Sequence, residues 1–191
     1  AETLARGDIS TAWVIVNLVG HHRLLTFWEP RAQQEVWGEN PDAGIASGIA
    51  YQQGLGVPVE GGLRLSGEWS FSSGQDHSDW SQLACIVREG DKPVDWVFCL
   101  LHKTQYQVID DWQVLGMRAT SSKTVRCKDV FVPAHRVVSM YLQKPGGHEF
   151  PGLKEHRNPA YRIPVSALGG SGIAACLVGN ARNALNETIE W

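Results

Sequence analysis

Long apolar runs are missing from this 191-residue sequence: none reaches the roughly 18–20 residues a helix needs to cross a membrane. A basic excess is missing too. Seventeen Lys and Arg stand against 20 Asp and Glu, a net charge of −3, which leaves no electrostatic case for binding DNA, RNA or an anionic membrane. Cysteine is sparse and widely spaced. Cys85, Cys99, Cys127 and Cys176 form no Cys-x-x-Cys pair, so they read as reduced core thiols of a cytoplasmic protein, not as metal ligands or a disulfide framework. No Gly-x-Gly-x-x-Gly follows a strand pattern and no P-loop occurs, so no nicotinamide site is visible. A secretory leader and an initiating methionine are absent. The chain opens on a helical pattern at Ala1–Ala5 and closes inside another at Ile173–Trp191, both uncapped. It therefore reads as an internal piece of a longer protein.

What is present is a globular composition, 43% hydrophobic and 19% charged, with a change of period along the chain. Residues 1–37 are helical by pattern. Asp8-Ile9-Ser10-Thr11 supplies capping residues, Ala12–Val19 is an apolar helix ended by Gly20, and Pro30 opens the short helix Arg31–Trp37. From Ile45 the period becomes 2. Ile45–Ala50 is a strand of small residues, and Val57–Trp69 is a hairpin turned by Glu60-Gly61-Gly62. Further strands are expected at Ser81–Arg88, Val94–Leu101, Tyr106–Trp112 and Thr124–Val132. Ser139–Asn158 reads as irregular, and Ser166–Trp191 as a Gly/Ala-rich helix suited to close packing. Helices, then strands, then helices argue an α+β fold around a small barrel or sandwich. The expected divisions are 1–44, an N-terminal helical part; 45–138, a central β domain; and 139–191, a linker and the start of a second helical part.

The most distinctive stretch is Trp69-Ser70-Phe71-Ser72-Ser73-Gly74, followed by Gln75-Asp76-His77-Ser78-Asp79-Trp80. Asp76, His77 and Asp79 lack a further ligand set, so no metal site is expected. Together with Ser10–Val14, Pro30–Gly38, Asp111–Arg118, Asp129–Pro133 and the order of elements, this block resembles the acyl-CoA dehydrogenase fold. Within it the resemblance is to flavin-dependent aromatic monooxygenases, the oxygenase components of two-component systems such as 4-hydroxyphenylacetate hydroxylase and the hydroxylase of 3-hydroxy-9,10-secoandrostatrienedione. The family's Gly-Leu-Arg-Gly-Thr-Gly-Ser reads here Gly116-Met117-Arg118-Ala119-Thr120-Ser121-Ser122, with two glycines replaced.

The resemblance implies hydroxylation of a phenol by O2 and reduced flavin, FMN favoured over FAD, through a flavin C4a-hydroperoxide. It also implies a separate flavin reductase as partner and a homotetramer, with further C-terminal helices completing the sites. Ser72 matches the serine that touches flavin N5, and Trp69 and Phe71 would be walls. Ser73 and Gly74 would permit close backbone approach, while Arg118, Thr120 and Ser122 would lie near the flavin or its phosphate. His21 matches the histidine facing the substrate ring, where a neutral imidazole accepts the phenol proton. Ser47 matches a serine near the phenol oxygen, and Tyr161 with Arg162 the substrate mouth. Read without the resemblance, the Ser72 stretch is also a plain strand, His21 or His22 a capping histidine, Ser47 a residue chosen for size, Arg162 a loop arginine and 118–122 a surface turn. Two rival functions stay open: an acyl-CoA dehydrogenase or nitrogen- or sulfur-oxidising relative on the same fold, and a non-catalytic binding or assembly module.

Overall fold

The computed structural model describes residues 1–140 and 149–190. Part of the irregular stretch expected at Ser139–Asn158, and the final Trp191, lie outside the described residues. The helices are α1 (Glu2–Gly7), α2 (Ile9–Leu25), α3 (Pro30–Trp37) and α4 (Val165–Ile189). The strands are β1 (Ile45–Gly48), β2 (Gly54–Val59), β3 (Gly62–Ser72), β4 (Trp80–Glu89), β5 (Lys92–His102), β6 (Gln107–Ile109), β7 (Lys123–Pro133) and β8 (Val137–Ser139). Among the described residues no helix is long and apolar enough to cross a membrane.

Asp8 caps α2, its Oδ1 accepting from Thr11 N at 2.6 Å. The helix does not stop at Gly20 as the sequence suggested. Gly20 keeps a negative φ, and the chain runs on to Leu25. A glycine ends a helix only where the chain turns left-handed. Here the sheet holds the next turn: Gln82 Nε2 donates to His21 O at 3.0 Å. Contact of this kind outweighs the weak propensity cost of one glycine. The α3 helix starts at Pro30, as its position at the first turn predicts.

The β part is α+β in class but is neither a closed barrel nor a sandwich. It is one open mixed sheet in the order β6-β7-β3-β2-β4-β5-β8, whose three-residue end strands pair only inward. Both β1 and β2 run parallel to β4, so they form one interrupted strand, broken at Tyr51–Gln53. Concealment is achieved differently on the two faces. Leu63, Leu65, Trp69, Leu83, Cys85, Cys99, Leu101, Val125 and Val132 form a core made of strands alone. On the other face Trp80, Ala84, Phe98 and Leu100 pack against Leu25, Ala32 and Val36 from the helices and Trp28 from the turn between them. Strands β4 and β5 are thus buried on both sides, which is why they read as continuous apolar runs. The expected strand at Tyr106–Trp112 shrinks to β6, and β8 has no clear sequence signal. All four cysteines are free and buried.

Trp69 is the centre of the strand core. Its side chain is fully buried, and Nε1–H donates to Ala84 O at 2.7 Å. Three glycines wall the indole. A Cβ on Gly48 would lie 2.6 Å from Trp69 Cβ, one on Gly54 2.4 Å from Cζ2, and one on Gly67 2.5 Å from Cη2. Gly54→Ala is therefore expected to lower the unfolding free energy by about 1–3 kcal/mol in urea denaturation, the usual cost of overpacking. Gly116→Ala, whose Cβ would meet nothing within 4 Å, should stay within about 0.5 kcal/mol of wild type. Equal effects at the two positions would show that the slot is not tight.

Candidate active site

A cavity of about 630 Å³ opens where α2, α4, β1 and the end of β3 meet. That size lies within the range of small-molecule sites. From α2 it is lined by Trp13, Val16, Asn17, Gly20, His21, Arg23 and Leu24; from β1 and the turn after it by Ser47, Ile49, Ala50 and Gln53. Ser70, Phe71 and Ser73 close the β3 side, and Val165, Gly169, Gly172 and Ile173 the α4 side. Helix α2 packs against β1 and α4 and borders this cavity, while Ile15 and Val19 stay exposed. Two glycines of α4 shape the space. A Cβ on Gly172 would fall 2.5 Å from Val16 Cγ1, so the helices meet there, whereas one on Gly169 would meet nothing within 4 Å.

His21 lines the cavity from the turn of α2 beyond Gly20 and is only 8% exposed. Its Nδ1 lies 2.7 Å from Ile45 O. A carbonyl oxygen can only accept, so Nδ1 carries the hydrogen and Nε2 keeps its lone pair. Burial pushes the imidazole pKa down to about 4, partly offset by the Ile45 carbonyl. The ring is neutral at physiological pH. Two residues along β1 from Ile45, Ser47 faces the same space. His22 turns away, its Nδ1 accepting from Trp37 Nε1 at 2.9 Å.

The aromatic-serine stretch divides. Phe71 and Ser73 line the cavity; Trp69, Ser72 and Gly74 do not. Trp69 faces the strand core and not this cavity; the irregularity in β3 after it, with Phe71 at φ +62°, turns Phe71 to the cavity side. Ser72 is fully buried, with both hydrogen-bonding roles used inside the protein: Oγ donates to Ser47 O at 2.8 Å and accepts from Gln75 Nε2 at 2.9 Å. Its hydroxyl fixes the Ser47 backbone and does not reach into the cavity. Gln75 also donates to Ser81 Oγ at 2.7 Å, which donates to Tyr106 Oη at 3.2 Å. Gly74, at φ +78°, permits the turn and packs on Val14 and Leu18. Phe71 is held at φ +62°, a costly conformation for an aromatic residue, and 73% exposed. Its ring meets Trp112 edge-on at 5.8 Å.

Arg118, Thr120 and Ser122 also lie off the cavity. Arg118 is exposed, while Thr120 and Ser122 are buried behind Ser73. Ser73 Oγ lies 2.8 Å from Ser122 Oγ, and Ser122 Oγ 2.7 Å from Thr120 Oγ1. Tyr161 and Arg162, expected at the substrate mouth, do not line this cavity. Tyr161 packs on His156 at 5.1 Å, and Arg162 is committed to Glu149 at 2.9 Å and His156 O at 3.2 Å. The arginine on the cavity is Arg23, whose guanidinium donates to the carbonyls of Ala160, Tyr161 and Ile163. Sequence reading passed over Arg23, Asn17 and Gln53 and took Trp13 for a core residue. One signal was available: Asn17 and Arg23 are polar residues set into an apolar helix. Among the described residues no acidic, histidine or cysteine cluster suits a metal ion.

No family model matches the chain. Individual relatives do. The flavin-dependent monooxygenase oxygenase subunit HsaA of Mycobacterium tuberculosis is 38% identical over 181 residues, 95% of this chain and 45% of that protein. A solved structure of the M. tuberculosis HsaA monooxygenase superimposes with a TM-score of 0.94 at 36% identity, covering 99% of this chain and 48% of the other. The oxygenase component of a FADH2-dependent resorcinol hydroxylase from a Rhizobium species is 37% identical over 193 residues, 98% of this chain and 46% of that protein. The chain spans about half the length of the curated relatives it matches. Over nearly its whole length, then, this chain is a homologue of the oxygenase subunits of flavin-dependent monooxygenases.

Proposed function

We propose that the protein carrying this chain is the oxygenase component of a two-component monooxygenase of the acyl-CoA dehydrogenase-like fold. It hydroxylates a phenolic substrate beside an existing hydroxyl, using O2 and reduced flavin delivered by a separate reductase. The observation that carries this reading is His21: a buried, neutral imidazole whose tautomer is set by Ile45 O and whose Nε2 lone pair is left for a ligand. Reduced flavin, when bound, supplies the electrons that activate O2. The cavity suits a flat ring system, with Trp13 and Phe71 as aromatic surfaces and Ser73 between them and the turn behind.

On this reading His21 accepts the phenol proton, or hydrogen-bonds the phenolate, and so raises the nucleophilicity of the ring. Ser47, free to rotate its hydroxyl, steadies the same oxygen. Trp13, Ile49 and Phe71 keep water from the reacting face. Arg23 holds the 160–163 backbone against the cavity rim. The flavin is FAD or FMN; the name of the resorcinol hydroxylase favours reduced FAD over the FMN expected from sequence. Exposed apolar residues of α4, Leu177, Val178, Leu185 and Ile189, support burial of that face in a larger helical assembly, for which a homotetramer is our proposal. The free cysteines support a cytoplasmic location. The dehydrogenase alternative is not favoured, since the relatives are monooxygenase and hydroxylase oxygenase components.

His21→Asn in the full-length protein should lower the rate of phenol hydroxylation by about 10²-fold or more, the usual contribution of a positioned base. Flavin oxidation should continue, its electrons going to hydrogen peroxide. Unchanged product yield per reduced flavin would remove His21 from the chemistry. The same residue sets a pH dependence of stability. An unfolded histidine takes up a proton near pH 6.5, whereas folded His21 resists until about 4. Stability tied to His21 is therefore fully present above 6.5 and falls as pH drops towards 4, by about 3 kcal/mol. Urea midpoints measured from pH 7.5 to 4.5 should fall more steeply for wild type than for His21→Asn. Parallel slopes would mean that His21 is not buried neutral.

A further inference from the structure

Gln82 is an amide in a place suited to a hydrocarbon. It sits on β4 between Trp80 and Ala84, on the face that packs against the helices, and is fully buried with Leu100 as its cross-strand neighbour. Its partner fixes which way the amide points. His21 O is a carbonyl and only accepts, so the nitrogen, Nε2, faces it at 3.0 Å. Oε1 is then left in the core with no hydrogen-bond partner among the described residues. A buried acceptor without a partner costs at least as much as one buried hydrogen bond contributes. Stability alone therefore does not account for a glutamine here. An apolar side chain of the same length would fill the space without the bare acceptor.

What Gln82 supplies is the place of one helical turn. His21 follows Gly20, a poor helix former, and lies close to where α2 ends at Leu25, so its own helix holds it loosely. Two neighbouring strands take hold of it from outside. Strand β4 bonds its backbone through Gln82, and β1 bonds its ring through Ile45 O at 2.7 Å. The two strands run in parallel register, with Ser47 beside Gln82. We propose that Gln82 is a positioning residue which, by tying the His21 carbonyl to β4, keeps the His21 ring against Ile45 O and so keeps Nε2 an acceptor towards the ligand. The proposal rests on the reading of His21 as the base. If the turn lifts, Nδ1–H loses its acceptor and the hydrogen can sit on either nitrogen. In the other tautomer Nε2 carries a hydrogen into the cavity and cannot take a proton from a phenol.

The test is Gln82→Met in the full-length protein, which keeps the length of the side chain and removes the N–H. Nitrogen NMR of isotope-labelled histidine reads the tautomer, the His21 signals being those lost in His21→Asn. Wild type should show Nδ1–H alone at His21, and Gln82→Met should show both tautomers. Product formed per reduced flavin should fall about tenfold or more, the scale of a small misplacement at a reacting group. The urea midpoint should lie at or above that of wild type. Gln33→Met removes another buried amide, bonded to the Thr26 and Trp28 carbonyls, and should lower the midpoint while leaving the His21 tautomer and the product yield alone. An unchanged tautomer in Gln82→Met overturns the proposal. So does a midpoint as far below wild type as that of Gln33→Met, since Gln82 would then serve stability. A changed tautomer with an unchanged product yield upholds the placement by Gln82 and overturns the reading of His21 as the base.

Discussion

The indole of Trp69, set between Gly48, Gly54 and Gly67, is the contact on which the rest of the structure depends. Each glycine sits on a different strand, β1, β2 and β3, and the indole N–H reaches a fourth, β4, at Ala84 O. One side chain therefore sets the spacing of four strands. The slot exists only because three positions have no Cβ, and it is filled only because the residue opposite is the largest there is. Close packing of this kind has little slack, so each element is placed by its neighbours and not by its own propensity. Strand β1 is the one that matters for the site. Gly48 holds it against Trp69, and three residues earlier Ile45 O fixes the His21 ring.

Past Trp69, β3 leaves the core and becomes the cavity wall. Ser72, which ends it, and Ser73, just beyond, serve opposite sides. Ser72 points inward and ties Ser47 O to the buried Gln75–Ser81–Tyr106 cluster. Ser73 points towards α2 and ties Trp13 to the Ser122–Thr120 turn. Buried hydroxyls are costly when unpaired, so each cluster stabilises one arrangement and penalises the others. That rigidity holds Phe71, Met117 and Ser121 at positive φ, each at a cost of order 1–3 kcal/mol. All three lie at the cavity or in the turn behind it.

The sequence displayed these elements well. The β2–β3 hairpin, β7 and α3 follow from alternation, turn glycines and Pro30, and β4 and β5 from their apolar runs. It could not show that the sheet stays open, since edge pairing between β6 and β8 leaves no local mark. It also misjudged Gly20, because the contact that carries α2 onward comes from Gln82, 62 positions away. Of the candidate site residues, His21, Ser47, Phe71 and Ser73 do share one cavity. Trp69 and Ser72 belong to the same motif yet face elsewhere. The irregularity between Trp69 and Ser72, with Phe71 at positive φ, breaks the alternation that would have kept Trp69 and Phe71 on one face, and no glycine marks it in the sequence. Tyr161 and Arg162 were expected at the substrate mouth from the family resemblance. The cavity arginine is Arg23, a position decided by how the 160–163 backbone lies across α2.

The polar groups on the cavity are held by the protein before any ligand arrives. His21 gives its Nδ1 hydrogen to Ile45 O, Asn17 gives one of its two amide hydrogens to Trp13 O at 2.8 Å, and Arg23 spends its hydrogens on the 160–163 carbonyls. For His21 the consequence is definite: with Nδ1 committed, Nε2 is an acceptor, suited to a group that carries hydrogen such as a phenol O–H. A pKa of about 4 keeps the ring in that state through the physiological range, since protonation would turn the same nitrogen into a donor. What His21 can do is thus set as much by the backbone of β1 as by its own place on α2.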